Sequence, residues 1–477
     1  MIKSDVLIIG AGLLGCFAAR NLAKYELDVT VIEKNDDVCG GISKANTGII
    51  YTGYDNKPGS QKSRLCVQAN EDFDRLCGEL EVPFARPGSL MISYGPEADK
   101  VLRKKYSDGL EGGVRSLSLL TGDECRALEP NLAGGITLGL LAPDTGTVNP
   151  WELCIAAYEN ARENGVDFRF NETVVSIRRN GDSFMVETEK GKEGPGETYG
   201  ASVVINAAGL SSDTVRELAE KPFVRLFPTG ADYIVLDESE KGFVKRVIFH
   251  EGEDKKGLTL VPTVDGNILV GPTNRDMDWD EKLSPDYRVE ESGLEELKRL
   301  CDTVVPGLRL DRQIRSFGSL RPNPYYVREE DGRLVREGKR IGGFFLTEER
   351  GLISLIGIKT PGLTFSNELG KLVAEKAAAY LGREESRRAG YDPRRKAVVR
   401  ARDLNPEERA ALTEKNPDYG KIICACCDIT AAEVRQAIER GAESVEAVKR
   451  RTGALMGRCQ GGRCRKKILD MLKEAGH

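Results

Sequence analysis

The first fifteen residues constrain this chain more than any other stretch. Val6-Leu7-Ile8-Ile9 is an unbroken apolar run, the pattern of a strand buried on both faces. Gly10-Ala11-Gly12-Leu13-Leu14-Gly15 comes at once after it and predicts a tight turn into a helix over 13–25. Gly10 permits the turn, Gly12 lets the backbone approach a pyrophosphate, and Gly15 lets helix pack closely on strand. Such a helix aims its N-terminal amides at the phosphates. Val29-Thr30-Val31-Ile32 predicts a second buried strand. Glu33 ends it, where an acid accepts hydrogen bonds from ribose hydroxyls and disfavours a 2′-phosphate. The unit reads as a site for the ADP half of a dinucleotide. An incidental glycine turn is the competing reading, and the flanking strands, helix and acid argue against it.

At 477 residues the chain exceeds one core and suggests roughly two to four domains. Its net charge of -5 gives no sign of nucleic-acid binding. No apolar run approaches the roughly 18 residues of a spanning helix. Met1 to Ser4 are too short for the charged region of a signal peptide. These features predict a cytoplasmic protein, compatible with peripheral attachment to a membrane. Of the twelve cysteines, Cys16, Cys39, Cys66, Cys77, Cys125, Cys154, Cys301 and Cys427 read as reduced, partly buried small residues.

The residues after Glu33 decide which dinucleotide is bound. Gly40-Gly41-Ile42-Ser43-Lys44-Ala45-Asn46-Thr47-Gly48 is a second small and polar loop, able to cross the phosphates and reach a flavin ring. An NAD domain usually continues straight into further βα units. Here the sequence resembles the FAD-dependent oxidoreductases of the D-amino-acid oxidase superfamily. Tyr51-Thr52-Gly53-Tyr54-Asp55, then Pro58-Gly59-Ser60 and Lys62, resembles the branch of FAD-linked glycerol-3-phosphate dehydrogenases and L-2-hydroxyglutarate oxidases. That branch commonly carries histidine where this chain has Tyr51, so the side-chain chemistry there does not transfer unchanged.

Further stretches fall in the order the resemblance implies. Asp144-Thr145-Gly146-Thr147-Val148-Asn149-Pro150 resembles the return from substrate domain to FAD domain, and Val174 falls where the family's backbone contacts adenine. Val203-Val204-Ile205-Asn206-Ala207-Ala208-Gly209 resembles the second FAD-contacting strand and turn; a plain βα turn is the alternative. Gly257 to Asn267 and Leu269 to Thr273 resemble the same branch, as does Ile314-Arg315-Ser316-Phe317-Gly318-Ser319-Leu320-Arg321-Pro322, expected to carry a substrate-facing arginine. Lys359-Thr360-Pro361-Gly362-Leu363-Thr364 and a helix over 365–380 would place amides under the flavin, where a helix N-terminus favours negative charge. Many superfamily members carry an acid at the Lys359 position. The resemblance thus implies FAD held by Gly10, Gly12, Gly15, Glu33, Ser43, Asn46, Thr47, Gly48, Val174, Ala208, Gly209, Gly362, Leu363 and Thr364.

The expected fold is α/β. A discontinuous Rossmann-like FAD-binding domain spans 1–80, 140–222 and 340–382, and a substrate domain on a mixed or antiparallel sheet spans 81–139 and 223–339. Helical spacing is read at 68–80, 97–107, 123–129 and 150–164, and strand at 83–92, 166–170 and 173–178. Residues 383–419 are highly charged and predict a surface linker with a short helix near 406–412. A small helical domain occupies 420–477.

That last segment carries Cys424-Ala425-Cys426, a spacer of 32 residues, then Cys459-Gln460-Gly461-Gly462-Arg463-Cys464. Four thiolates suit zinc or an iron–sulfur cluster, and structural zinc favours paired C-x2-C knuckles that are not present here. The run, including Met456-Gly457-Arg458-Cys459-Gln460-Gly461, resembles the [2Fe-2S] domain of bacterioferritin-associated ferredoxin, which makes Cys424, Cys426, Cys459 and Cys464 the implied ligands. Zinc, and free or disulfide-forming thiols, are the alternatives. Cys427 stands where an acid is common. The basic residues Lys449, Arg450, Arg451, Arg458, Arg463, Arg465, Lys466 and Lys467 read first as a solvated positive face. They would also offset a cluster's negative charge or dock an acidic electron partner.

FAD takes two electrons and a [2Fe-2S] cluster passes one at a time, so the pair implies a dehydrogenase reoxidised through the cluster. The implied partners are a small anionic substrate and an electron-accepting protein, either a second flavoprotein or a quinone-linked membrane protein; a hetero-oligomer is compatible with this. The motif order best resembles anaerobic-type glycerol-3-phosphate dehydrogenase. Arg321, with Arg315, Lys255 and Lys256 as secondary candidates, would bind phosphate or carboxylate. His250 is the expected general base, with Tyr51 and Tyr54 as alternatives contacting substrate or flavin. Two other functions stay open: a dehydrogenase of an L-2-hydroxy acid or of an amino or imino acid, and an electron-transfer or redox-sensing protein.

Overall fold

Apolar alternation along the opening strand builds the first layer. The computed structural model describes residues 1–191, 194–251, 257–277 and 287–477. In β1 (Ile2–Ile9), Val6 and Ile8 enter one core while Leu7 and Ile9 enter another across the sheet. Both faces are therefore covered, as a parallel strand requires. Helix α1 (Leu13–Leu22) returns the chain to β2 (Val29–Ile32), which pairs in parallel with β1. Helix α1 ends three residues short of the sequence expectation.

The chain then builds α2 (Gln61–Leu80), β3 (Ser89–Ser93), α3 (Pro150–Glu163), β4 (Pro195–Asn206), β5 (Val224–Leu236) and β6 (Val247–His250). Next come β7 (Gln313–Glu330), β8 (Leu352–Ile356) and α4 (Ser366–Tyr380). In the first sheet Asp167–Arg169, β2, β1, the second half of β4 and β8 run parallel. Antiparallel strands Ser183–Glu189 and Thr173–Asn180 continue from the first half of β4. Helices α1, α3 and α4 cover one face, with Phe17, Leu153, Tyr158, Leu369 and Val373 in one core. Contact between α1 and α4 is close because a Cβ on Gly370 would stand 2.7 Å from the Phe17 backbone.

The second sheet orders Arg333–Glu337, β7, β5, Ile268–Val270, Thr259–Pro262, β6, β3, Leu138–Ala142 and Ser118–Thr121. Its pairs are antiparallel except β6 with β3, so it is mixed as expected. The stretch 83–92, expected as one strand, is two. Phe84–Ala85 joins a small sheet with Ile49–Ile50 and Gly146–Val148, while β3 joins the large one. Pro87 withholds a donor and Gly88 sits at φ +74°, which together break the run. Helix α2 begins seven residues before the expected start, capped where Ser60 Oγ accepts from the Ser63 N–H at 3.1 Å.

The expected surface linker is pinned. Arg388 donates to the carbonyls of Ala23 and Leu27, and the Asn160 side-chain amide donates to those of Asp392 and Arg394. Arg395 is buried on Glu159 at 2.7 Å. Charge composition suggested solvent; these polar groups are instead absorbed by partners on α3 and in the connection between α1 and β2. Helices α5 (Ala431–Glu439), α6 (Val445–Thr452) and α7 (Arg465–Glu474) then form the tail, whose own core includes Val434, Val448, Leu455 and Ile468. No helix among the described residues is long and apolar enough to cross a membrane.

Candidate active site and cluster site

The glycine turn is a cradle only glycine fits. Gly10 has φ +103°, and a Cβ there would lie 2.7 Å from the Ala207 carbonyl oxygen. One on Gly15 would lie 1.8 Å from the Gly10 carbonyl oxygen. The turn thus rests directly on the Ala207-Ala208-Gly209 stretch, whose Ala208 N–H donates to Asn206 Oδ1 at 3.2 Å. Buried Glu33 accepts from the Ala11 N–H at 2.7 Å and the Asn35 N–H at 2.9 Å. The Glu172 N–H donates to the Glu33 carbonyl, which sets Val174 two residues further along the same edge.

The second loop lies across the N-terminus of α1. No side chain of Gly12 caps that helix, and Ser43 Oγ accepts from the Leu13 N–H at 3.1 Å. Asn46 braces the loop, donating to the Ser43 carbonyl and accepting from the Gly48 N–H. Gly48 has φ +67°, with the Val148 carbonyl 2.4 Å from where a Cβ would be. At the far end, Thr364 Oγ1 accepts from the Tyr51 N–H at 3.0 Å and joins the third stretch to the second. Gly362 closes the turn before α4, its N–H donating to the Lys359 carbonyl at 2.6 Å. The three stretches are thus linked in turn by hydrogen bonds, Ala11 to Glu33, Leu13 to Ser43 and Tyr51 to Thr364.

Side chains of the large sheet face the Thr364 end. Arg321 on β7 donates to Asn274 Oδ1 at 3.1 Å and the Thr273 carbonyl at 3.4 Å, and bonds the Tyr233 hydroxyl. Tyr51 bonds Thr47 and stacks on Phe249 with centroids 6.1 Å apart; burial pushes its hydroxyl pKa up, so it keeps its proton. Lys359, not anticipated as a site residue, donates to Asn323 Oδ1 at 2.7 Å. Burial, then the cations Arg340, Lys62 and Arg321, lower its pKa to about 8. Asp55 is the one carboxylate that acts on Lys62 and Tyr51 among these influences, so the cations outnumber it and the surroundings suit an anion. The sequence signal was the departure from an acid at Lys359.

Two expected residues are elsewhere. Successive side chains of a strand point to opposite faces. Because Phe249 faces Tyr51, His250 faces away, its ring edge-on to Tyr94 at 5.5 Å. Burial lowers its pKa, and its Nδ1 has no partner among the described residues. His250 is thus not brought together with Tyr51 and Arg321. Arg315, six residues from Arg321 on β7, instead lies in the field of Glu446 and Lys449 of the tail. Tyr54 is buried in a core with Leu102, Leu117 and Leu140. Lys255 and Lys256 lie outside the described residues.

The four tail cysteines are brought together from two loops. Cys424 contacts Cys464 and Cys427, and Cys459 contacts Cys426. A thiol hydrogen bond from Cys427 and the backbone amides of Leu455 and Cys427 lower the Cys424 pKa to about 5 against its burial. Amides of Arg463 and Gly461, with the Cys426 thiol, lower that of Cys459. Amides aimed at sulfur are the environment an anionic iron–sulfur cluster needs. Among the described residues no three ligating side chains converge as for a single metal ion. Cys424 and Cys464 are buried whereas Cys426 is exposed, so one edge of the site reaches solvent.

The basic residues of the tail are not a uniform solvated face. Arg450 and Arg451 are buried on Asp37, Arg440 pairs with Glu159, and Arg458 holds Asp237 through two bonds of 2.6 and 2.7 Å. Arg463, Arg465, Lys466 and Lys467 are exposed as expected.

Comparison with known proteins accords with this geometry. Residues 5–376 match the model of the FAD dependent oxidoreductase (DAO) family. The chain belongs to the DAO family. Residues 422–474 match the BFD-like [2Fe-2S] binding domain, so this DAO-family oxidoreductase carries FAD and a [2Fe-2S] cluster. The glycerol 3-phosphate dehydrogenase of Caloramator mitchellensis is 36% identical over 471 residues, covering 98% of this chain and 93% of the relative. One of the subunits of the anaerobic glycerol-3-phosphate dehydrogenase of Escherichia coli K12 is 23% identical over 492 residues, covering 99% and 88%. The FAD-bound L-alpha-glycerophosphate oxidase of Mycoplasma pneumoniae shares the DAO fold at TM-score 0.72 and 22% identity, over 84% of this chain and all of the oxidase.

Proposed function

We propose that this oxidoreductase converts sn-glycerol 3-phosphate to dihydroxyacetone phosphate and passes the electrons through its cluster to an acceptor protein. The observation that carries this reading is the pair of cations Arg321 and Lys359, the second bonded to Asn323 two residues along β7 from the first, with Lys62 and Arg340 acting on Lys359. Such a set favours a phosphate dianion over a single carboxylate. The activities named for the Caloramator and Escherichia relatives support the same substrate.

Bound FAD supplies the two-electron acceptor for a secondary alcohol, and the cluster a one-electron exit. Gly10, Gly12 and Gly15 hold the backbone open to the pyrophosphate, Glu33 takes the adenosine ribose, and Ser43 to Gly48 cover the cofactor. Val174, Ala208 and Gly209 would line the adenosine side; Gly362 shapes the turn from which Leu363 and Thr364 would present amides to the ring. Arg321 forks onto the phosphate, Lys359 adds a second cation, and Tyr51 walls the site with a protonated hydroxyl. Cys424, Cys426, Cys459 and Cys464 ligate the cluster. The Escherichia relative is one part of a multi-subunit dehydrogenase, which supports a separate electron-accepting protein here, either a second flavoprotein or a quinone-linked one.

Anaerobic bleaching of the flavin decides the substrate. We expect sn-glycerol 3-phosphate to bleach it at a rate that a stopped-flow experiment resolves, with L-2-hydroxyglutarate, proline and glycine slower by about 100-fold or more. Faster bleaching by L-2-hydroxyglutarate would overturn the assignment. No bleaching by any of them would make the chain an electron-transfer protein.

A further inference from the structure

The tail could hang from a tether or be fixed in place, and the contacts of Asp37 bear on which. This aspartate lies four residues past Glu33, on the segment that leads into the cofactor-covering loop. It is 1% exposed. Oδ2 accepts from Arg450 Nη2 at 2.9 Å and Arg451 Nη1 at 2.7 Å, and Oδ1 accepts from Arg451 Nη2 at 2.9 Å. Both arginines belong to α6, the helix just before the loop that carries Cys459. Arg451 also lies over the ring of Tyr158 at 5.9 Å, and Tyr158 is on α3. One carboxylate of the FAD-binding half therefore receives two guanidinium groups of the cluster-binding half. Both Nε–H groups lack an acceptor among the described residues, and the pair's one other acceptor there is the Ala447 carbonyl, 3.3 Å from Arg451 Nη1.

Two further contacts join the tail to the catalytic half away from Asp37. Glu159 on α3 receives Arg440 from the end of α5 and Arg395 from the pinned segment. Asp237, just after β5, receives Arg458 from the cysteine loop itself. Three carboxylates on the catalytic half thus meet arginines of the tail at separate points. Lys44 of the covering loop lies in the field of Arg450, Glu446 and Lys449, so the tail sits against the loop that Ser43 and Asn46 organise.

We propose that Asp37 is a positioning residue for electron transfer, locking α6 against the FAD-binding loop so that the cluster is a fixed relay rather than a swinging one. The inference rests on the electron route proposed above. Oxidation of one alcohol to a ketone releases two electrons and two protons. The cluster carries one electron at a time to a one-electron acceptor protein, so two passages complete each turnover and the protons leave to water. A fixed relay makes each passage independent of domain motion.

Two variants test this in the full chain loaded with both cofactors. Asp37→Asn removes the anion, and the double variant Arg450→Gln/Arg451→Gln removes its partners without touching the FAD-binding half. Amide hydrogen exchange in 431–452 is expected to rise by about tenfold or more in both variants. On rapid mixing with sn-glycerol 3-phosphate, flavin bleaching should stay within about twofold of the parent while the reduced-cluster signal appears about tenfold or more slowly. Unchanged exchange in both variants overturns the proposal, as does a cluster that keeps pace with the flavin despite faster exchange. If sn-glycerol 3-phosphate fails to bleach the parent flavin, the substrate assignment falls alone. Illumination with EDTA as donor then reduces the flavin, and the same comparison decides the role of Asp37.

Discussion

Lys359 is charged below about pH 8 and loses that charge above it, because burial and three neighbouring cations disfavour the ammonium form. A phosphate monoester becomes a dianion above roughly pH 6, so a site that uses this charge to hold it binds best between about pH 6 and 8. KM for sn-glycerol 3-phosphate should therefore rise above about pH 8, and Lys359→Met should raise KM at neutral pH and flatten the profile. Arg321→Lys should raise KM roughly 10- to 100-fold, the worth of about 1.5–3 kcal/mol for a charged hydrogen bond. His250→Gln should leave flavin bleaching within about twofold of the parent, since its ring packs on Tyr94 across the sheet from Tyr51; a loss of about 100-fold, as expected of a general base, would return His250 to the chemistry. At this scale the backbone requirements were legible in sequence and the facing of side chains was not. Gly10 and Gly15 leave no alternative residue, so they mark their own positions. Whether residue 249 or 250 faces Tyr51 depends on strand register, which a lone histidine between Phe249 and Glu251 does not reveal.

At the scale of elements, the strands that hold the cofactor were the easiest to read because they are buried on both faces and read as solid apolar runs. Strands of the large sheet have shorter apolar signals and irregular breaks, which is why Phe84–Ala85 and β3 were read as one. The start of α2 was hidden because its first turn is polar, although Ser60 after Pro58-Gly59 is a capping signal. In the cysteine loops the critical element is again a glycine. A Cβ on Gly457 would lie 2.5 Å from Cys426 Cβ and 3.2 Å from Cys427 Sγ. Gly457→Ala should push Cys426 out of place and lower the iron and acid-labile sulfide content by about half or more, with FAD content unchanged. Full cluster occupancy in that variant would mean the loop shifts without consequence.

Across the whole molecule, charge patterning misled where folding buried the charge. A segment as rich in arginine as 383–400 reads as solvated, yet Arg395 and Glu159 are buried together. Composition cannot distinguish such a pair from two surface ions, because the distinction is made by a helix more than two hundred residues away. The Asp37, Arg450 and Arg451 group is likewise buried, and salt screens buried pairs far less than exposed ones. Flavin-to-cluster transfer should therefore change by less than about twofold between low salt and about 0.5 M, whereas delivery to an external acceptor through the exposed Arg463, Arg465, Lys466 and Lys467 should fall steeply. Equal sensitivity of both steps would contradict a buried attachment.

Strand β1 hydrogen-bonds to β4, β4 bonds to β8, and α1 packs on α4 through Gly370. The opening turn is therefore braced by residues that leave the ribosome only after most of the chain has been made. A nascent chain that stops before Leu352 lacks the strand, the turn and the helix that close the cradle. The cradle that opens at Gly10 is thus complete only once the chain through Tyr380 has been made.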